Sequence, residues 1–214
     1  MLVEMLPVGP LQANCYLLAD EASQRALIID PGDDPERILA RLRRLGLTPE
    51  AIVATHGHFD HIGAVRAVRA ATGAPFLALR EEREMLEAAP VRAQMFGFVV
   101  DPPPPADRWL APDEIVRAGA LAFSVLHAPG HSPGHLILRG EGAAFVGDVV
   151  FAGSVGRTDL PGGDTETLFA SIRTHVLPLS DETVLYPGHG PVTSVGRERT
   201  TNPFLLMLTR PGAP

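Results

Sequence analysis

Residues Thr55 to His61 read THGHFDH and place three histidines and an aspartate within one short stretch. Imidazole nitrogens and a carboxylate oxygen suit zinc, iron or manganese better than calcium or magnesium. Three later positions bring the same side-chain types next to glycine: His131 in HAPGHSPGH, Asp148 in FVGDVVF and His189 in YPGHG. Glycine lets the backbone carry a ligand close without a side chain in the way. With His56, His58, Asp60 and His61 they make five histidines and two aspartates. One zinc takes three or four protein ligands. Seven is too many for one ion, but two ions with three ligands each and one shared carboxylate use them all. Ions so paired stand about 3.5–4 Å apart and activate a water between them.

Other residues bear on that chemistry less directly. Asp30 closes the apolar run ALIID just before Pro31-Gly32. It is either a turn residue or a carboxylate that orients a ligand histidine. His135, four residues after His131, is read as a supporting group, whereas His127 and His175 are read as ordinary strand and helix residues. Tyr16 and Tyr186 lie in strand-like runs and are expected in the core. Arg157, in GSVGRTD, falls in a loop marked by Gly153, Gly156, Gly162 and Gly163. Its planar fork of donors matches a substrate carboxylate. The alternative is an internal salt bridge with Asp159 or Asp164 that braces the loop. No serine–histidine–acid pattern offers a protein nucleophile. Cys15, the single cysteine, sits in the apolar run NCYLLA as a small buried hydrophobe and permits no intramolecular disulfide.

The elements that must position these residues follow from periodicity. LVEML, NCYLLA and ALIID read as strands, with DEASQR as the turn between the last two. DDPERILARLRRLG has helical spacing, with Asp34 as N-cap, Pro35 in the first turn and Gly46 at the end. AIVA is a short strand that delivers the THGHFDH turn, and HIGAVRAVRAATG is a helix ended by Gly73. PFLALR is a strand. Residues 80–98 suggest two short helices broken at Pro90, and DPPPPADRWLAP a stiff proline-rich loop. Two hairpins follow, turning at Ala118–Ala120 and at Gly140–Gly142, then a helix in TETLFASIRTHVLPL and a strand in TVLYPGHG. Strand groups alternating with helices argue for two sheets, each covered by helices on its outer face.

At 214 residues with 45% hydrophobic content, the chain is expected to form one domain with a substantial core. The net charge of −7 and the absence of any basic run weigh against a nucleic-acid partner. No segment reaches the ~18 apolar residues of a membrane span, and the start MLVEMLPVGP lacks a basic, then apolar, signal pattern. A cytoplasmic protein with no membrane partner is expected, its oligomeric state open.

THGHFDH, His131, Asp148 and His189, in that order, resemble the metallo-β-lactamase superfamily, and the likeness spans nearly the whole chain. The resemblance implies a four-layer αβ/βα sandwich with the site at one edge between two sheets. It implies His56, His58 and His131 on one metal, Asp60, His61 and His189 on the other, and Asp148 bridging. PGHSPGH and GSVGRTDLPGGD, with the terminal NPFL, are most similar to short bacterial members of the glyoxalase II branch. That implies two divalent ions, zinc first with iron or manganese as alternatives, and a small-molecule thioester such as S-lactoylglutathione. A hydroxide formed on the metals would attack the carbonyl, with Asp60 accepting a proton or orienting it. The branch also has a basic residue at the Arg157 loop position that contacts glutathione. The chain departs from full-length enzymes of the branch by having no helical C-terminal glutathione-binding segment and no substrate tyrosine after His189. Residues 80–110 are expected to supply the missing wall, as a lid carrying Met85, Met95, Phe96 and Phe98, or else to be a packing appendage or dimer contact. Relatives in the superfamily include persulfide dioxygenases with one iron and, more distantly, lactonases, so both remain alternatives to the hydrolase.

Overall fold

The computed structural model describes residues 1–209. The first half of the chain builds one sheet from β1 (Leu2–Val8), β2 (Ala13–Asp20), β3 (Arg25–Ile29), β4 (Thr48–Val53), β5 (Phe76–Leu79) and β6 (Arg108–Leu110), in that spatial order. The first three strands pair antiparallel; β3 to β6 run parallel. Parallel neighbours need crossovers, and helices supply them. These are α1 (Pro35–Leu45) after β3, then α2 (Phe59–Ile62) and α3 (Val65–Thr72) after β4, and α4 (Arg83–Met95) after β5.

The second half repeats the plan with β7 (Ile115–Ala118), β8 (Leu121–His127), β9 (Leu136–Gly140) and β10 (Ala143–Gly147). A small ribbon of β11 (Val150–Phe151) and β12 (Ser154–Val155) follows, then α5 (Thr165–His175), β13 (Val184–Pro187), β14 (Thr193–Ser194), α6 (Val195–Thr201) and α7 (Pro203–Leu208). The strand order is β14-β13-β10-β9-β8-β7, and the one parallel pair, β10 with β13, is the one bridged by α5.

Side-chain alternation explains the layers. Along β2, Tyr16 and Leu18 face the second sheet, while Cys15, Leu17 and Ala19 face the helices. Between the sheets, Leu27, Ile29, Val53 and Leu77 meet Phe123, Val125, Leu138 and Phe145. Outside the first sheet lie Ile38 and Leu42 of α1, Val65 and Val68 of α3, and Leu86 of α4. Outside the second lie Leu168 and Ile172 of α5, Val195 of α6, and Leu205 of α7. Each such side chain contributes roughly 1.5–3 kcal/mol by leaving water. The result is the expected αβ/βα sandwich. Among the described residues no helix is long and apolar enough to cross a membrane.

Local expectations fail in four places. Pro90 does not break the segment after β5: a 3-10 turn at Arg80–Glu82 leads into one helix that runs through it. Met85, Leu86, Ala89 and Ala93 are all buried on that helix, and their packing outweighs the one backbone bond that proline forfeits. The helix expected over 61–73 is two, parted at Gly63-Ala64. Asp34 precedes α1 but does not cap it; its carboxylate accepts the Gly9 N–H instead. The proline-rich loop contains an unforeseen edge strand, β6, too short to show a period.

Candidate metal centre

The parallel pairings put several carboxyl strand ends at one rim of the sandwich, where α/β sheets characteristically bind ligands. Asp30 follows β3, His56 and His58 follow β4, Asp148 follows β10, and His189 follows β13. His131 and His135 lie in the turn between β8 and β9.

Two groups of ligand-type atoms converge there. His131 Nε2 lies 2.8 Å from His58 Nδ1 and 3.3 Å from His56 Nε2. His189 Nε2 lies 3.2 Å from His61 Nε2 and 3.3 Å from Asp60 Oδ2, and His61 Nε2 is 3.8 Å from that same oxygen. Ligands at ~2.0–2.1 Å in tetrahedral directions stand about 3.3 Å apart, so both groups have the spacing a small divalent cation imposes. Asp148 joins them: Oδ2 is 3.5 Å from His131 Nε2, and Oδ1 is 3.5 Å from His61 Nε2. Oδ1 is buried and has no hydrogen-bond partner among the described residues. A buried, unsatisfied carboxylate oxygen among imidazoles calls for a cation. The donor set therefore fits two ions, as the seven-residue count suggested. Gly188 is needed beside it, since a Cβ there would fall 2.0 Å from Asp148 Oδ1.

Supporting groups leave the metal-facing nitrogens free. Asp30 is buried and held in the left-handed region at φ 50°. It accepts the Thr55 N–H at 2.7 Å, the Thr55 hydroxyl at 2.7 Å and His61 Nδ1–H at 3.1 Å. With its own proton given to Asp30, the Thr55 hydroxyl accepts from His56 Nδ1 at 3.0 Å. One carboxylate thus contacts the supports of two histidine rings, directly at His61 and through Thr55 at His56. These bonds engage Asp30 on the far side of the rings from Asp60 and Asp148. His131 Nδ1 donates to the Arg157 carbonyl at 2.8 Å. His135 Nε2 accepts the Asp148 N–H at 3.0 Å, and its ring stacks on His56 at 5.0 Å, so it supports the group without joining it.

The electrostatics divide the two groups. Burial, reinforced by neighbouring imidazoles, pushes His56 well down and His58 down to about 3. Burial would also lower His61, but Asp148, Asp60 and Asp30 outweigh it and hold His61 up at about 10. Burial would raise Asp60, yet His61 and His189 keep it below the usual carboxylate range. The excess carboxylate around His61 is charge that a divalent cation neutralises.

Three supports had no usable signal in the sequence. Glu82, fully buried, accepts the Gly57 N–H and the Gly134 N–H, each at 2.6 Å, and so pins the His56–His58 turn to the His131–His135 turn. It stands in the charged run REERE, which reads as a solvated face. Asn14 donates to the Pro187 and Gly190 carbonyls at 3.0 and 2.9 Å, bracketing His189. Tyr16 packs in the core as expected, 5.4 Å from the Phe145 ring, but its hydroxyl also donates to Pro187 O at 2.6 Å. Thr55 was legible, being adjacent to His56.

Arg157 has its side chain turned outward, donating through Nε and a terminal nitrogen to both oxygens of exposed Asp159 at 2.7 and 2.8 Å. The guanidinium fork is thus engaged by Asp159, the salt-bridge partner named beside Asp164 for this loop. His127 and His175 stay outside the cluster; His127 bonds the Pro133 carbonyl. Of the expected wall, Met85 is buried, Met95 and Phe96 are exposed, and Phe98 lines a cavity that reaches Asp60.

A profile of the metallo-beta-lactamase superfamily matches residues 8–189. The chain is 42% identical over 210 residues to hydroxyacylglutathione hydrolase GloC of Haemophilus influenzae, a match covering 96% of this chain and 98% of that one. Among solved structures, the BLEG-1 B3 metallo-beta-lactamase aligns with a TM-score of 0.90 at 43% identity, covering 95% of this chain and 99% of that one. TTHA1623 in a di-iron-bound form gives 0.88 at 43%, covering 95% and 100%. ETHE1 from Myxococcus xanthus gives 0.80 at 28%, covering 100% and 93%. With the profile spanning most of its length and a relative above 40% identity end to end, the chain belongs to the metallo-β-lactamase superfamily.

Proposed function

We propose that the chain is a binuclear metal-dependent hydrolase of small thioesters, similar in activity to hydroxyacylglutathione hydrolases. The observation that carries this is the pair of ligand groups sharing the two oxygens of Asp148. His56, His58 and His131 would hold one ion; Asp60, His61 and His189 the other. When bound, two such ions supply a water of lowered pKa and an electrophile for the substrate carbonyl. Zinc suits this donor set, as do iron and manganese. The di-iron form of TTHA1623 supports iron as a serious alternative.

The protein's own part is positional. Asp30, through Thr55 and directly, fixes the rings of His56 and His61, and the Arg157 carbonyl fixes His131. With an ion bound, the opposite nitrogens of these rings would carry the lone pairs that hold it. Asp60, kept ionised by His61 and His189, accepts a hydrogen bond from the attacking water and sets its direction. Burial of His56, His58, His61 and His131 strengthens the contacts made to them. No side-chain nucleophile is required, and Cys15, buried with its thiol pushed well up by desolvation, offers none.

The activity named for GloC supports a glutathione thioester as the substrate class. A one-iron persulfide dioxygenase is the rival reading, and the likeness to ETHE1 leaves it standing. Metal analysis of the purified protein, with thioester hydrolysis and oxygen uptake on glutathione persulfide, separates them. Two ions per chain, thioester turnover and no oxygen uptake are expected. One iron with uptake would overturn the proposal.

A further inference from the structure

A cavity of about 230 Å3 has Asp60 among its lining residues. Its apolar walls come from two chain segments and α2: Val8 and Leu11, Phe98, Val99 and Val100, and Phe59. The Phe59 ring stands 5.5 Å from Phe98 and 6.0 Å from Phe96. These side chains are held out of the core at a cost in solvation: Val99 is 91% exposed, Phe96 52% and Leu11 42%. Apolar groups gathered around a concavity mark a binding surface. Drug-sized ligands occupy roughly 300–1,000 Å3, so this cavity takes one arm of a small substrate, not the whole of it. The only charged residues among its walls are Asp33 and Asp60, both acidic. Apart from the ion that Asp60 would help to hold, nothing along these walls would attract an anionic arm.

We infer that this groove receives the neutral, apolar acyl arm of the thioester, so that Leu11 and Phe98 set which acyl groups the protein accepts. The inference rests on the thioester reading and extends it, because Asp60, a proposed metal ligand, is itself one of the groove's lining residues. Glutathione's carboxylates would then lie elsewhere, and selectivity would come from the acyl side.

The test uses the metal-loaded protein and a ladder of non-hydrolysable S-alkyl thioethers of N-acetylcysteamine, methyl to hexyl, with binding read by calorimetry. Burial of each methylene should tighten binding about threefold to fourfold until the groove is full. Phe98→Ser and Leu11→Ser should each flatten the ladder while metal content by elemental analysis stays at the parent's value. A terminal carboxylate on the longest alkyl arm should abolish most of the gain. A flat ladder in the parent, an equal loss at every length in both variants, or tighter binding of the carboxylate arm would overturn the inference. So would a concentration-dependent dimer that is lost in Leu11→Ser and blocks the ladder, since a second copy would then be the occupant. Because the thioethers are never turned over, an intact ladder with no thioester hydrolysis would count against the hydrolase reading alone.

Discussion

Glu82→Gln is the substitution that most directly probes how the metal turns are held. The carboxylate accepts two backbone N–H groups at 2.6 Å, one from each turn, in a fully buried position. A charge-assisted bond of this kind is worth about 1.5–3 kcal/mol. Glutamine has nearly the same volume, so no cavity arises, but it keeps one acceptor and turns an NH2 towards the other amide. One charge-assisted bond is lost and one buried donor is left unmet, which together come to about 3 kcal/mol. If the strain falls on the turns, affinity for the ion held by His56, His58 and His131 drops roughly 100-fold, since 1.4 kcal/mol is a factor of ten. That lies at the upper end of the usual cost of losing an outer partner of a metal ligand. Chelator competition with the parent and variant, each site followed by stoichiometry, measures it. The first ion released should belong to the weakened group, with the melting temperature also lowered. If both ions bound within threefold of the parent and the melting temperature did not move, Glu82 would be a bystander.

Asp148→Ala should cost more than one ligand's share, with the protein retaining less than one tightly held equivalent; two equivalents at parental affinity would refute the shared carboxylate. His175→Ala, on half-buried α5, should leave metal content and turnover unchanged. The Asp159 fork on Arg157 leads us to expect that Arg157→Ala slows anionic and neutral thioesters alike, by loosening the loop whose carbonyl orients His131. A Michaelis constant raised for the anionic thioester alone would restore the substrate-contact role. Stripping both ions with a chelator should lower the melting temperature by about 5–10 °C per site saturated 100-fold over its dissociation constant, from ~2.7 kcal/mol of linkage, and adding zinc should reverse it.

The seven clustered histidines and aspartates were legible because metal chemistry restricts side-chain type, and because His56, His58, His131, Asp148 and His189 each adjoin a glycine while Asp60 and His61 complete the THGHFDH run. The two-sheet architecture was legible from strands grouped around helices. What escaped was set by three-dimensional context. Pro90 reads as a break, and only the buried face of α4 shows why the helix continues. Glu82 and Asn14 act on turns 25 to 176 residues away, at a range no local pattern encodes. β6, α6 and α7 are three to seven residues long and take their form from what they pack on. Asp34 had the right type for a cap, but the Gly9 amide claimed its carboxylate first.

Glu82 immediately precedes α4, and the groove residues Phe98 to Val100 come just after its end. The helix is thirteen residues long, about 20 Å at 1.5 Å per residue. Inserting one residue would swing everything beyond it by about 100°, carrying the groove wall away from Phe59 or tearing Glu82 from the turns. Residues 101–106 carry no regular structure, and the next residue, Asp107, is anchored by Arg69 and the Phe76 N–H. Point changes at the wall and length changes within residues 101–106 leave that register intact, whereas any change in the length of α4 disturbs it.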